Sequence, residues 1–214
     1  NLDVSKIEKK TNLFDFQLDE YQTRSICRIE KNETVFVVSP PSTGKTTIAH
    51  YAFSLSLSHK KHAIYTSPIK TLLIQQYKEL SNNEYFSKNV GINVGKLKNN
   101  INAKILITTI ENLNKMDEKT YDNIDTVIFD DFHYTYNLNA FKISINKLPS
   151  NIKLLFLSEP ITDSISNIRE KNVYIEINEN PSIPLKHEIY HSGWMYTLAD
   201  STKKENKNKL IFYE

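Results

Sequence analysis

The chain has 214 residues, 39% hydrophobic and 24% charged, which suits a globular protein with one large domain or two small ones. Its 27 basic and 25 acidic residues leave a formal charge of +2, so a uniformly basic surface is excluded and any phosphate recognition must be local. The single cysteine, Cys27, excludes an internal disulfide and points to a reducing, intracellular compartment; no apolar run approaches a membrane span, and no N-terminal signal is visible.

In chain order, a polar start of residues 1–13 precedes a helical pattern over Phe16–Ile29, with Cys27 expected as a buried, inert thiol. Thr34–Ser39 reads as a strand and Lys45–Ser58 as a helix. His62–Thr66 reads as a strand, and Pro68 marks the turn into a helix that runs through Leu80. Val90–Val94 is a weak strand. Ile105–Thr108 is another, with Glu111 opening a short helix. Thr126–Phe129, Lys153–Leu157 and Val173–Ile177 are further strands. Strands regularly separated by helices predict an α/β fold: a parallel sheet with helices on both faces. From Asn178 on the pattern changes, and Ile189-Tyr190 and Met195-Tyr196 are expected in a β-hairpin or an extended linker. The first residue is not Met and the last stretch is apolar and aromatic, so a piece of a longer protein is expected.

Ligands of such sheets sit at the C-terminal ends of the strands, where Ser39–Thr46, Thr66-Ser67, Thr109, Asp130-Asp131 and Ser158 all fall. Ser39-Pro40-Pro41-Ser42-Thr43-Gly44-Lys45-Thr46 lies between a strand and a helix, the context of a P-loop phosphate cradle. Ser39 stands where such a loop usually begins with glycine. The expected nucleotide contacts come from Pro41, Ser42, Thr43, Gly44, Lys45, Thr46 and Thr47. Lys45 would reach the β and γ oxygens, and the Thr46 hydroxyl would serve Mg2+. Asp130 ends a buried strand and is the second candidate for Mg2+; Asp131 is placed to orient an attacking water. An Asp-Asp pair also favours turns. His133 is expected to link the nucleotide site to neighbouring strand ends by hydrogen bonds.

Asp130-Asp131-Phe132-His133 resembles motif II of the superfamily 2 DExH helicases, with the P-loop as motif I. Thr66-Ser67-Pro68-Ile69-Lys70, followed by Gln75, closely resembles motif Ia of the superkiller-type, exosome-associated RNA helicases. Phe16-Gln17-Leu18-Asp19-Glu20-Tyr21-Gln22 looks like their adenine-recognition segment. Gly95 and Thr109-Ile110-Glu111 are similar to two further RNA-contacting motifs. Ser158-Glu159-Pro160 stands in the place of motif III, and the tail resembles the strand pair leading toward a second RecA-like domain.

The resemblance implies a RecA-like domain over residues 14–178, followed at 179–214 by a hairpin or linker. It implies ATP with Mg2+ as cofactors and Lys45, Asp130 and Asp131 as the catalytic set. Gln22 would read the adenine edge, with Phe16 near the base. Ser67, Pro68, Ile69, Lys70, Gln75, Gly95, Thr109 and Glu111 would lie along RNA, and His133 and Ser158 would couple the two sites. Implied partners are single-stranded RNA or a duplex with a 3′ overhang, a second RecA-like domain in cis, and exosome or adaptor proteins; a membrane is not among them. The implied activity is ATP-dependent 3′-to-5′ unwinding of RNA for processing or decay, in the nucleus or the cytoplasm. Alone, the fragment is expected to hydrolyse ATP hardly at all.

The chain departs from the family in four places. Asp131 replaces Glu and is one methylene shorter. Glu159-Pro160 replaces Ala-Thr, and Ile110 replaces a Thr. Tyr134–Lys147 lacks an Arg-rich, Trp-containing stretch. These departures motivate an alternative, a catalytically weakened ATP- and RNA-binding scaffold. A DNA helicase of the same superfamily is a third reading.

Overall fold

A computed structural model of the chain describes residues 14–135, 139–160 and 173–178, and the backbone of residues 186–191 and 194–200. The strands are β1 (Thr34–Val38), β2 (His62–Thr66), β3 (Val90–Val94), β4 (Leu97–Asn99), β5 (Ile105–Thr108), β6 (Ile124–Phe129), β7 (Lys153–Ser158), β8 (Val173–Ile177), β9 (Lys186–His191) and β10 (Trp194–Asp200). The helices are α1 (Glu20–Glu30), α2 (Lys45–Ser58), α3 (Lys70–Asn82), α4 (Ile110–Leu113), α5 (Glu118–Tyr121) and α6 (Asn139–Lys147), with a 3-10 turn over Phe132–Tyr134.

Eight strands form one sheet in the order β4-β3-β5-β2-β6-β7-β1-β8, parallel except for β4. The alternation of side chains along each strand divides the core into two layers. Val35, Val37, Tyr65, Ile107, Leu155 and Leu157 face α1, α2 and α3. Phe36, Phe129, Leu154 and Phe156 face α4, α5 and α6 on the other side. Helices that cross toward β3 lie on the first face and those that cross toward β7 lie on the second, as right-handed crossovers require. β9 and β10 form a separate antiparallel pair with Met195 opposite Tyr190.

Helix α1 starts at Glu20, four residues later than the apolar pattern suggested, because Asp19 is extended and Gln22 Oε1 accepts its N–H at 2.8 Å. Cys27 is buried, as expected. The weak strand at 90–94 is a full member of the sheet. Gly91 allows it: a Cβ there would lie 1.9 Å from the Asn100 carbonyl oxygen, so the turn after β4 can pack onto β3 only against glycine. The Gly95-Lys96 turn between β3 and β4 makes β4 an antiparallel edge strand, which the parallel-sheet expectation did not include. Helix α6 lies within Tyr134–Lys147, and Phe141 and Ile145 are its buried face.

Candidate nucleotide site and adjoining strand ends

The sheet places the expected residues along one edge in two groups. Lys45, Asp130 and Ser158 follow or end β1, β6 and β7, which are neighbours in the sheet. Ser67, Gly95 and Thr109 follow β2, β3 and β5, the adjoining three strands. The two groups meet where β2 pairs with β6, Thr66 opposite Phe129.

The loop between β1 and α2 is held from several sides. Gly44 caps α2 at φ +86°, a left-handed conformation that glycine adopts without strain, and a Cβ there would also lie 2.7 Å from the Gln22 amide nitrogen. Tyr21 donates its hydroxyl to the Thr43 carbonyl at 2.6 Å and Gln22 Nε2 donates to the Gly44 carbonyl at 3.0 Å. The Ser39 hydroxyl, at the position where glycine is usual, meets Thr43 Oγ1 at 2.7 Å and accepts from Asn178 Nδ2 at 3.0 Å. Asn178 also donates its backbone N–H to the Val38 carbonyl at 2.8 Å. The Lys45 ammonium donates to the carbonyls of Ser39 and Pro40, both at 2.8 Å. Burial pulls its pKa below the ordinary lysine value, against the opposing charges of Asp130, Glu159 and Asp131.

Asp130 and Asp131 are fixed by the aromatic layer beneath them. Phe129 and Phe132 flank the pair and are fully buried, and both rings pack on Phe156, at 5.4 and 4.9 Å between centroids. The Asp131 N–H donates to Asp130 Oδ1 at 2.8 Å, and Tyr65 donates its hydroxyl to Asp130 Oδ2. Burial, and then the adjoining Asp131 charge, push the Asp130 carboxyl up to about 6. Asp131 itself has a left-handed backbone, φ 50°, and Ser67 Oγ donates to its Oδ2 at 2.9 Å. Lys45, Thr46, Asp130, Asp131 and Glu159 line one cleft of about 410 Å³. A hydroxyl and a carboxylate facing the same space suit Mg2+, which takes one or two carboxylates and completes its shell with phosphate oxygens and water. Lys45 and the N–H groups opening α2 suit the phosphates.

Other expected residues are placed as follows. Pro41, Ser42 and Gly44 line the cleft; Thr43 and Thr47 are half-buried beside it. Gln75 lies on α3 and lines this same cleft rather than the Ser67 end of the edge. Phe16 and Gln22 do not line it: Phe16 is exposed, and Gln22 is buried with its amide spent on Gly44 and Asp19. Pro68 and Ile69 are half-buried, and Lys70, Gly95 and Glu111 are exposed. Thr109 caps α4, accepting from the Asn112 N–H at 3.4 Å. His133 Nδ1 accepts the Glu159 N–H at 3.3 Å, and the Ser158 carbonyl accepts the Ser39 N–H at 3.0 Å. Four groups that hold this site had not been identified from the sequence: Tyr21, Tyr65, Asn178, and Ser67 in its bond to Asp131. Tyr21 lay inside the segment likened to adenine recognition without a role of its own, and Tyr65 stood one residue before the end of a strand, where an alternating core pattern explains it equally well.

A model of the family described as DEAD/DEAH box helicase matches residues 19–167. The chain is 32% identical to the DExH-box ATP-dependent RNA helicase DExH11 of Arabidopsis thaliana, over 91% of this chain and 16% of that protein. It is 30% identical to the exosome RNA helicase MTR4 of Mus musculus, over 88% of this chain and 19% of that one. It is 28% identical to the superkiller complex protein 2 of Homo sapiens, over 87% and 16%. The chain thus spans less than a fifth of each of these relatives. Among solved structures, the UvsW helicase of bacteriophage T4 superposes with a TM-score of 0.63 at 16% identity, covering 76% of this chain and 61% of that one. The helicase domain of Pyrococcus furiosus Hef does so at 0.56 and 17%, covering 77% and 39%. Among the described residues, no helix is long and apolar enough to cross a membrane. With 149 consecutive positions under that model, the chain belongs to the DEAD/DEAH box helicase family.

Proposed function

We propose that this chain is the ATP-binding RecA-like half of an ATP-dependent RNA helicase, residues 14–178 forming the domain and 179–214 leading toward a second one. The observation that carries the reading is the single cleft shared by Lys45, Thr46, Asp130 and Asp131 beside a separate row of strand ends. In this reading Lys45 leaves the Ser39 and Pro40 carbonyls for the phosphates, and Thr46 and Asp130 hold Mg2+. Asp131 orients the attacking water. The 68–70 turn, Gly95, Thr109 and Glu111 take the RNA backbone, with Ser67 buried beneath that turn, so many sequences bind. Completion of the ATP site requires arginines from the second domain. The names of the RNA relatives support RNA over DNA and service to the exosome or its adaptors, and 3′-to-5′ travel is what the motif resemblance implies.

The test is ATP turnover by the full-length protein with single-stranded RNA and with duplexes carrying 3′ overhangs. Stimulated turnover that Lys45→Ala lowers by two or more orders of magnitude is expected, and stronger unwinding of RNA than DNA. The bond from Ser67 to the short Asp131 side chain favours one second reading, an ATP- and RNA-binding scaffold with weakened turnover. RNA binding without turnover, with turnover restored by Asp131→Glu, establishes that reading and sinks the first.

A further inference from the structure

Where β2 meets β6, one hydroxyl bridges the two groups of strand ends. Ser67 Oγ donates to Asp131 Oδ2 at 2.9 Å and accepts the Ile69 N–H at 3.2 Å. Ser67 is 2% exposed, so its hydroxyl is shielded from bulk water, while Asp131 and Ile69 are half-buried. The backbone on the acid side is equally held: the Asp130 N–H donates to the Thr66 carbonyl at 2.8 Å, and the Asp131 N–H to Asp130 Oδ1 at 2.8 Å. The turn ahead of α3 is the more accessible partner, half-buried at Pro68 and Ile69 and exposed at Lys70. Pro68 brings no N–H to it, and Ile69 is the extended residue that precedes the helix. A shift of residues 68–70 therefore reaches the Asp131 carboxylate through two direct hydrogen bonds.

We propose that Ser67 is a positioning residue for Asp131, and that its hydroxyl is the link by which RNA lying on the 68–70 turn sets the water-orienting carboxylate. The inference rests on the RNA and water roles proposed above. A short aspartate has few contacts to fix its rotamer, and Ser67 supplies a bond to one oxygen while the side chain still lines the cleft. Displacement of such a group by about an ångström lowers a rate by up to about 10²-fold.

The experiment measures ATPase of the full-length protein across ATP and RNA concentrations for wild type, Ser67→Ala, Ser67→Thr, Asp131→Asn and the Ser67→Ala/Asp131→Asn pair. Ser67→Ala is expected to lower the RNA-stimulated kcat about tenfold. The KM for ATP and the RNA concentration giving half-stimulation are expected to stay within about twofold. Ser67→Thr, which keeps the hydroxyl, is expected to recover most of the rate. In the Asp131→Asn background the alanine should add nothing, since Ser67 acts through that carboxylate. An unchanged kcat in Ser67→Ala overturns the inference. So does a raised half-stimulating RNA concentration at unchanged maximal rate, which makes Ser67 a simple RNA contact. An equal further loss in the Asp131→Asn background also overturns it. A wild-type protein that RNA does not stimulate sinks the functional reading itself, a separate result.

Discussion

Asp130 sits in an environment that disfavours its charge, and the size of that effect makes a sharp prediction. Its carboxyl is raised from the ordinary 3.8 to about 6, chiefly by burial and next by Asp131. The folded chain therefore binds this proton more tightly than the unfolded chain does. Stability contributed by the group is fully present at low pH and is lost as pH rises from about 4 through 6. At pH 7.5 the loss amounts to about 3 kcal/mol; at pH 4 it is well under about 1 kcal/mol. Asp130→Asn removes the charge. It also leaves one acceptor oxygen for two donors, the Tyr65 hydroxyl and the Asp131 N–H, which costs about 1 kcal/mol. The net expectation is a gain of about 2 kcal/mol at pH 7.5, a rise of roughly 4–8 °C in Tm for a chain of this size, and no gain at pH 4. Thermal unfolding of the 214-residue chain without nucleotide, at both pH values, reads this directly. A variant no more stable than wild type at pH 7.5, or equally stabilised at both pH values, refutes the electrostatic account. A gain in stability at a residue proposed to hold Mg2+ would show that this acid is kept for function at the expense of the fold.

Two other positions test the fold. Lys60 follows α2 in the left-handed region, φ 58°, with its N–H on the Leu57 carbonyl at 2.9 Å and the Lys61 N–H on Ser56 at 3.0 Å. Lys60→Gly is expected to raise stability by about 0.5–1 kcal/mol in a denaturant titration, and a loss would contradict that geometry. At the opposite rim of the sheet, buried Lys153 pairs with Asp125 at 2.7 Å, and Asp125 also accepts from Ser56 at 3.0 Å. Burial opposes the Asp125 charge, but Lys153, His59 and Ser56 together hold its carboxyl below the usual range. Lys153→Met is expected to destabilise by about 3 kcal/mol, with Lys153→Met/Asp125→Asn recovering part of the loss; equal losses would show that packing, not the ion pair, matters there.

Strand and helix placement was legible because the pattern is local. Val35 and Val37 alternate with Phe36, and the two sets enter opposite core layers. The loop between β1 and α2 was legible because glycine, lysine and threonine stand together between a strand pattern and a helix pattern, and Gly44 caps that helix. What escaped the sequence is non-local. Tyr65 and Asp130 are 65 positions apart, and nothing near Tyr65 distinguishes a phenol aimed at a carboxylate from one filling the core. Ser67 and Asp131 meet only because β2 and β6 are neighbours, which is a property of strand order. The hairpin into β4 was missed because Leu97–Asn99 is exposed throughout and carries no alternation. Gln75 was grouped with Ser67–Lys70 by the motif Ia resemblance, yet α3 carries it to the cleft that Lys45 and Asp130 line.

The bonds of Asn178 have a mechanical consequence. Asn178 is the residue at which the chain leaves β8, and it grips the Val38 carbonyl with its backbone and Ser39 with its side chain. β8 lies parallel to β1, so a pull on the chain beyond 178 drags one strand lengthwise past the other. All the hydrogen bonds of the pair then resist together, rather than opening one after another. Tension on the chain beyond 178 is thus shared between the β1–β8 pairing and the two bonds of Asn178, one of which ends on Ser39, the first residue of the loop between β1 and α2, so pulling on the chain and rearranging that loop are mechanically coupled.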